Sequence, residues 1–223
     1  MNHLRKNDVL HADVIVKNPG VPPTSPYLAL ARHNHIPVTT DIGIFLRKSP
    51  ATIIGVTGTR GKSTTSFLIF IFLELFFNAR HIKKGPRVFL GGNIRTSVLD
   101  FMDQVTPRDI IVLELSSFQL DDLANDSWNN ELAKRKSPHI AVLTNILRDH
   151  MNWHKSMRSY IKAKKIIFKY QTKHDILFAN TSDQMVKKII AASPSRVKCP
   201  QLAKRFQRIV DANLGFHYRS SVA

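Results

Sequence analysis

The sequence predicts a doubly wound α/β fold with a mostly parallel sheet, and three observations support that prediction. Short apolar runs alternate with stretches of helical periodicity along most of the 223 residues. Several runs are continuously apolar rather than alternating, as in parallel strands that helices cover on both faces. One run leads through a glycine-bearing turn directly into a long apolar helix. Folds of this class bind their ligands at the carboxyl ends of the strands.

Six apolar, β-rich runs are predicted as strands, and four segments between them as helices. The predicted strands are residues 14–16, 53–56, 88–90, 110–115, 140–143 and 176–178. The predicted helices are residues 26–34, 63–78, 156–170 and 183–192. After Ser193 the pattern weakens, and no element is assigned there.

Composition places broad limits on the class of protein. A hydrophobic content of 43% is enough for a packed core, and a single cysteine rules out an intrachain disulfide. The N-terminal residues lack the apolar core of a signal peptide. The apolar run 67–77 contains Glu74 and falls short of the ~20 residues that span a bilayer, so it is interpreted as a helix buried against a sheet. We expect a cytoplasmic protein that is not embedded in a membrane.

The net charge of +17 raises the possibility of binding to nucleic acid. The basic residues are scattered, however, and no signature of a nucleic-acid module is present. The charge would speed the capture of any phosphate-bearing ligand. We expect no specific nucleic-acid partner.

The most informative stretch is residues 53–65, Ile-Ile-Gly-Val-Thr-Gly-Thr-Arg-Gly-Lys-Ser-Thr-Thr. A strand, a glycine turn and a helix start in this order point backbone N–H groups at an anion, so the stretch predicts a phosphate loop. Lys62 can reach the outer phosphates of ATP, and the Ser63 hydroxyl can bind Mg²⁺. Val56 stands where the strict pattern has glycine, so the loop is a variant. The alternative is a glycine-rich turn that precedes Lys-Ser by chance.

Three further features lie near this predicted site. Glu114 is close to the carboxyl end of a predicted strand, where a carboxylate is well placed to hold Mg²⁺. His150 follows the strand 140–143 and is either a metal ligand or a structural hydrogen-bonding group; both interpretations stay open. Lys164 lies on the predicted helix 156–170, but spacing does not distinguish it from Lys162 or Lys165.

Together these segments resemble the Mur ligase family, and in particular its D-glutamate-adding branch. Residues 14–26 resemble the end of the family's UDP-binding domain, and residues 57–64 are similar to its phosphate loop, with Arg60 where asparagine is usual. Gly-Gly-Asn at residues 91–93 matches a loop that contacts nucleotide and substrate. The most specific match is Glu-Leu-Ser-Ser-Phe-Gln-Leu at residues 114–120.

The resemblance implies a set of functional residues. Those implied for nucleotide binding are Gly58, Thr59, Arg60, Gly61, Lys62, Ser63, Thr64 and Asn93. Those implied to hold Mg²⁺ are Ser63, Glu114, His150 and Lys164. Lys164 matches a lysine that the family carbamylates, and the implied catalytic groups are Lys62, Lys164 and His150.

The chemistry implied by the resemblance is formation of an acyl-phosphate from ATP and a substrate carboxylate, followed by attack of an amine. The implied partners are a nucleotide-sugar peptide precursor and D-glutamate. Residues 1–48 are expected to be a remnant of a Rossmann-like, UDP-substrate-binding domain. Residues 49–223 are expected to be the central ATP-binding domain, incomplete at its C-terminal end; the boundary falls in the segment 45–51.

The sequence also departs from the family pattern. Asn152 stands where an acidic residue is usual, and Trp153 replaces a common arginine. Leu-Gly-Phe-His-Tyr at residues 214–218 is a faint version of the family's Gly-x-His-Asn stretch. We expect a truncated, inactive ligase or one completed by a separate chain. Two alternatives are a folylpolyglutamate synthase-like ligase and a non-catalytic remnant that binds nucleotide or polyanions.

Overall fold

The computed structural model describes residues 6–79, 85–94, 96–128 and 137–200. Its helices are α1 Lys6–Leu10, α2 Pro26–His33, α3 Asp41–Lys48, α4 Lys62–Ala79, α5 Ser117–Asn125, α6 Met151–His154, α7 Met157–Lys169 and α8 Gln184–Ile190. Its strands are β1 Ile15–Val16, β2 Val38–Thr39, β3 Thr52–Thr57, β4 Val88–Gly92, β5 Ile110–Glu114, β6 Ile140–Leu143, β7 Ile176–Ala179 and β8 Arg196–Lys198. Two short 3₁₀ turns, Val98–Asp100 and Met102–Gln104, lie between β4 and β5.

The main sheet has six parallel strands in the order β4-β5-β3-β6-β7-β8, which confirms the predicted fold class. The connection from β3 to β4 runs in one direction along the sheet, and every later connection runs in the other. Because parallel crossovers are right-handed, the two directions place their helices on opposite faces. Accordingly α4 covers one face, whereas α5 and α7 pack together on the other.

All six predicted strands and all four predicted helices are confirmed, with ends that shift by two residues or fewer. Prediction missed the short helices α1, α3, α5 and α6 and the strands β2 and β8. β8 lies at the edge of the sheet with all three residues exposed, so its sequence lacks the apolar run that marks the other strands.

Helix α3 belongs to the larger hydrophobic core. Phe45 and Leu46 are buried in one cluster with Ile53 and Ile111 of the sheet. The ring of Phe45 meets that of Phe101 edge-on, with centroids 5.6 Å apart. The division between residues 1–48 and 49–223 stays a prediction, and α3 packs against the elements that follow it.

Helix α4 differs from the expected buried helix. Only Ser66 is buried among its residues, although Ile69 and Leu73 pack against the sheet. The 18 residues of α4 are long and apolar enough to cross a membrane by length and composition alone, which corrects the expectation from the shorter run 67–77. We interpret α4 as one of the helices that cover the sheet of the α/β fold. Its first turn follows the glycine loop directly, and one of its sides packs on the sheet.

Candidate active site

The predicted phosphate loop connects β3 to α4 at the carboxyl edge of the sheet. Gly58 has a φ of +151°, and a Cβ there would lie 1.9 Å from Thr144 Oγ1, so only glycine fits. Gly61 also has a positive φ, +77°. The Lys62 amine donates to the carbonyl of Thr59 at 3.0 Å, which folds the side chain back over the loop.

The segment after β6 holds this loop in place. Thr144 Oγ1 donates to the carbonyl of Arg60 at 2.7 Å, and the Arg60 N–H donates to Asn145 Oδ1 at 2.9 Å. The Thr59 N–H donates to the carbonyl of Asn145, and the Leu147 N–H donates to Thr59 Oγ1 at 2.8 Å. The phosphate loop is therefore shaped before any ligand binds. Sequence reasoning gave no role to Thr144 or Asn145, which contact backbone groups of the phosphate loop.

Glu114 ends β5 beside the loop and is 2% exposed. Its Oε1 accepts from Asn93 Nδ2 at 2.9 Å, and its carbonyl accepts from the Asn93 N–H. Gly92 permits this approach, because a Cβ there would lie 2.2 Å from the Glu114 carbonyl oxygen. Glu114 Oε2 is buried without a hydrogen-bond partner. A buried, unsatisfied carboxylate oxygen is costly unless a cation binds it, so this residue fits the predicted Mg²⁺.

Lys164 is the lysine of α7 that faces inward. It is 2% exposed, whereas Lys162 is exposed and Lys165 is half-buried. Its amine donates to Thr57 Oγ1 and to the Gly58 carbonyl, both at 2.9 Å. The amine thus contacts the end of β3 and the start of the phosphate loop.

The pKa of Lys164 is lowered to about 7, chiefly by burial and in addition by the nearby charge of Lys62. The carboxylates of Asp149 and Glu114 oppose both effects. These interactions indicate that the four charged groups share one electrostatic environment. A substantial fraction of the Lys164 amine is neutral near pH 7 and can act as a nucleophile.

His150 lies at the same edge of the sheet and is more accessible, with a side chain 43% exposed. It has a left-handed backbone, φ +53°, and its Nε2 lies 3.7 Å from Asp149 Oδ2. Its ring contacts Phe118 edge-on at 4.9 Å and lies 6.4 Å from the ring of Tyr160. The Tyr160 hydroxyl is hydrogen-bonded to Thr59 Oγ1 at 3.0 Å, which links this aromatic group to the phosphate loop.

Within the described residues, no group of three or more His, Cys, Asp or Glu side chains could hold a metal ion. Ser63 and Thr64 are exposed in the first turn of α4. The set Ser63, Glu114, His150 and Lys164 therefore stays a prediction, which the orphaned oxygen of Glu114 supports.

A cavity of about 400 Å³ lies beside Asn93. Residues 18–20 form one wall of the cavity. Asn93 and the start of α5, where Ser116 and Gln119 form a capping box, form other parts of its lining. An ion pair connects the N-terminal residues beside this cavity to α5: the Lys17 amine lies 2.6 Å from Asp122 Oδ2. The residues that line the cavity are Asn18, Pro19, Gly20, Asp41, Gly92, Asn93, Ile94, Thr96, Ser97, Ser116, Phe118 and Gln119.

Comparison with known proteins gives consistent results. Residues 56–217 match the model of the Mur ligase middle domain. The chain is 35% identical over 192 residues to a UDP-N-acetylmuramoylalanine–D-glutamate ligase of Clostridium kluyveri, covering 86% of this chain and 38% of that protein. The ligase of the same name from Treponema pallidum is 40% identical over 183 residues, covering 80% of this chain and 33% of that protein. The chain thus spans less than two-fifths of the length of these relatives.

Solved structures share the fold at low sequence identity. The UDP-N-acetylmuramate:L-alanyl-gamma-D-glutamyl-meso-diaminopimelate ligase of Neisseria meningitides superposes with a TM-score of 0.55 at 17% identity, covering 84% of this chain and 58% of that chain. MurF of Acinetobacter baumannii superposes with a TM-score of 0.50 at 15% identity, covering 86% of this chain and 46% of that one.

Proposed function

Because this chain belongs to the Mur ligase family, we propose that it forms the nucleotide-binding part of an ATP-dependent ligase that adds D-glutamate to UDP-N-acetylmuramoyl-L-alanine. The observation that supports this most strongly is the meeting of Glu114, Lys164 and the phosphate loop at one edge of the sheet. The reaction belongs to peptidoglycan precursor synthesis, and we place it in the cytoplasm. Residues 1–48 would contribute to the UDP-substrate side and residues 49–223 to the ATP side.

In this proposal the phosphate loop binds ATP through its own groups. The backbone N–H groups of the loop and of the first turn of α4 face the β- and γ-phosphates. The Lys62 amine leaves the Thr59 carbonyl and contacts the outer phosphates. The hydrogen bonds from Thr144 and Asn145 keep the loop in its binding conformation, so little ordering is required when ATP arrives.

Glu114, Ser63 and His150 would hold Mg²⁺, with Asn93 fixing the orientation of the Glu114 carboxylate. The neutral amine of Lys164 would attack CO₂ and lose a proton, which leaves a carbamate directed at the same site. When bound, Mg²⁺ neutralises negative charge on the transferring phosphoryl group.

The ligation itself takes two displacements. A substrate carboxylate oxygen bonds to the γ-phosphorus as the bond to ADP breaks, giving an acyl-phosphate. The amine of D-glutamate then bonds to the acyl carbon, inorganic phosphate leaves, and the nitrogen loses a proton. The groups of this chain align the two anions, and the cavity beside Asn93 is where we place the substrate carboxylate.

Calorimetry with Mg·ATP tests the nucleotide site through Lys62→Ala. Loss of a charge-assisted contact of about 1.5–3 kcal/mol should weaken binding roughly 10- to 150-fold. Lys162→Ala is the matched control, because it removes the same charge from an exposed position of α7. The comparison is made at high salt, since a net charge of +17 attracts polyanions without specificity. Equal affinities for the wild type and Lys62→Ala would refute the phosphate-loop assignment.

A further inference from the structure

Four basic side chains form one row along the outer side of helix α7. They are Arg158, Lys162, Lys165 and Lys169, which follow one another at steps of four, three and four residues. At about 100° per residue, these steps keep all four within a sector of roughly 60°. At a rise of about 1.5 Å per residue, the row is roughly 16 Å long. We call these four residues the α7 row.

The α7 row faces water. Arg158, Lys162 and Lys169 are exposed, and Lys165 is half-buried. The buried side of the helix consists of Tyr160, Ala163, Lys164, Ile166, Ile167 and Phe168. Because Lys164 belongs to that buried side, the α7 row and the candidate active site lie on different sides of the helix.

Within the residues that the structure describes, no acidic side chain forms an ion pair with the α7 row. Helix α7 itself contains no Asp or Glu. From residue 151 to residue 200 the sequence has only two carboxylates, Asp175 and Asp183. Asp175 is 5% exposed, and the Asp183 carboxylate caps α8 by accepting from two backbone N–H groups. The positive charge of the row is therefore left to interact with a partner.

Such a row is unfavourable for the protein alone. Like charges three or four positions apart on a helix repel each other, and every neighbouring pair in the α7 row has that spacing. A polyanion that binds along the helix would replace this repulsion by attraction. Counterions released from the polyanion would add to the affinity.

The surroundings of the row favour the backbone of a nucleic-acid duplex over other polyanions. Duplex DNA carries one negative charge per about 1.7 Å of its axis, so a stretch as long as the row presents roughly ten phosphates. Proteins that bind single strands use exposed aromatic rings on which bases stack, but Tyr160 and Phe168 of α7 are each 1% exposed. A helix that lies on a membrane inserts an apolar side into the lipid, and the apolar side of α7 is in the core.

We propose that the α7 row binds the phosphate backbone of double-stranded nucleic acid without reading its sequence. The basic residues look scattered along the chain, and the period of the helix aligns these four. Because contacts to phosphates carry no information about the bases, the expectation of no specific nucleic-acid partner is unchanged. This binding goes beyond ligation and uses no residue of the phosphate loop.

The salt dependence of duplex binding tests the proposal. Fluorescence anisotropy of a labelled DNA duplex of roughly 20 base pairs, about two helical turns, gives the affinity of the full chain. Affinity is measured from about 50 to 200 mM salt, where each phosphate contact contributes ~0.9 to the slope of log affinity against log salt. The slope should decrease in magnitude by about 3–4 in the fourfold variant Arg158→Gln, Lys162→Gln, Lys165→Gln and Lys169→Gln.

A matched control separates the position of the charges from their number. It removes the same residue types from exposed positions outside α7, with the substitutions Lys6→Gln, Lys48→Gln, Arg108→Gln and Lys198→Gln. Its slope should change by less than about 1. Equal changes in the two fourfold variants overturn the proposal, and so does the absence of duplex binding by the wild type.

Other polyanions distinguish the sources of negative charge. An RNA duplex of the same sequence is measured beside the DNA duplex, and binding of either one that depends on the α7 row supports the proposal. Vesicles that contain phosphatidylserine, and polyglutamate, are measured in the same way. Binding of vesicles or polyglutamate that depends on the row, without binding of either duplex, overturns the proposal.

Single variants keep the test decisive if the fourfold variant does not fold. Lys162→Gln and Lys169→Gln should each lower the slope by about 0.9, whereas Lys48→Gln should leave it unchanged. Unchanged slopes in both row variants overturn the proposal. Mg·ATP should bind the row variants and the wild type equally at high salt, and Lys62→Ala should bind the duplex as the wild type does. Duplex binding can therefore fail while the proposed function stands, and the reverse.

Discussion

A lysine amine with a pKa near 7 can react in ways that an ordinary lysine cannot. Lys164 reaches this state because it is buried beneath the phosphate loop and faces the charge of Lys62. Its two hydrogen-bond acceptors, Thr57 Oγ1 and the Gly58 carbonyl, satisfy only part of the desolvation cost. The folded protein therefore gives up stability for a reactive amine at this position.

Replacing Lys164 by methionine should change how stability depends on pH. The pKa of Lys164 is lower in the folded state than in the unfolded state, so between pH 7 and about 10.4 the unfolded state binds more protons. The free energy of unfolding of the wild type should consequently rise with pH there, by up to about 1.4 kcal/mol per pH unit. Lys164→Met should raise stability at pH 7 and remove this slope.

The measurement is urea unfolding of ligand-free protein in CO₂-free buffer between pH 7 and 9.5. Lys162→Met, on the exposed side of α7, should keep the slope of the wild type. A slope that persists in Lys164→Met would mean that another group titrates there.

At the residue scale, the sequence suggests a candidate role where a chemically suitable residue type coincides with the end of a predicted strand. Lys62 and Glu114 were predicted from the residues themselves. Lys164 could not be chosen over its neighbours without the family resemblance, because burial by tertiary packing decides which lysine faces inward. The sequence indicated no role for Asn145, since its contacts to the phosphate loop depend on how closely two loops distant in sequence approach each other in the fold.

At the scale of elements, a carboxylate joins the starts of β4 and β5. Asp109 accepts from the backbone N–H of Arg87 and from its guanidinium at 2.7 Å, and also from the N–H and hydroxyl of Thr106. The hydrogen bond from the Arg87 guanidinium is the main reason why the pKa of Asp109 lies well below its usual range. This arrangement sets the register of the sheet edge that leads to Asn93.

Asp109→Asn should lower the free energy of unfolding at pH 7 by about 1–3 kcal/mol, because donors lose a charged acceptor. Since the folded pKa is lowered, the stabilisation is complete above the unfolded pKa of about 3.9 and disappears as pH falls below it. The wild type and the variant should therefore converge in stability under acid conditions. Thermal unfolding from pH 2.5 to 7 measures this. Asp103→Asn, an exposed carboxylate nearby, serves as the control.

Two of the helices that were not predicted from the sequence, α3 and α5, are both short. α3 and α5 have only 8 and 9 residues, and each begins at a hydroxyl cap, Thr40 and Ser116. Caps are visible in sequence, and Ser-x-x-Gln at residues 116–119 has the pattern of a capping box that starts a helix. Residues 45–51, which include the end of α3, are instead predicted as a domain boundary because they contain Arg47-Lys48-Ser49-Pro50.

At the scale of the whole molecule, the chain covers 38% or less of the ligases it matches. We predict that this 223-residue chain forms no ligation product by itself, although it binds ATP. Positioning two substrates contributes ~7–11 kcal/mol to lowering the barrier, and the phosphate loop positions only one of them. The assay contains ATP, Mg²⁺, D-glutamate and UDP-N-acetylmuramoyl-L-alanine and follows both phosphate and product. Turnover at about 1–10³ s⁻¹ would contradict the prediction.

The apolar helix α4 has a consequence for biosynthesis. Residues 62–79 leave the ribosome before two of the strands on which they pack, because β5 ends 35 residues later at Glu114. At about 5–20 residues per second, that interval is roughly 2–7 s. During that time a nascent helix rich in phenylalanine lacks most of the sheet surface that it covers in the folded chain. The chain should accordingly depend on chaperones during translation, and slower synthesis at low temperature should not by itself prevent its aggregation.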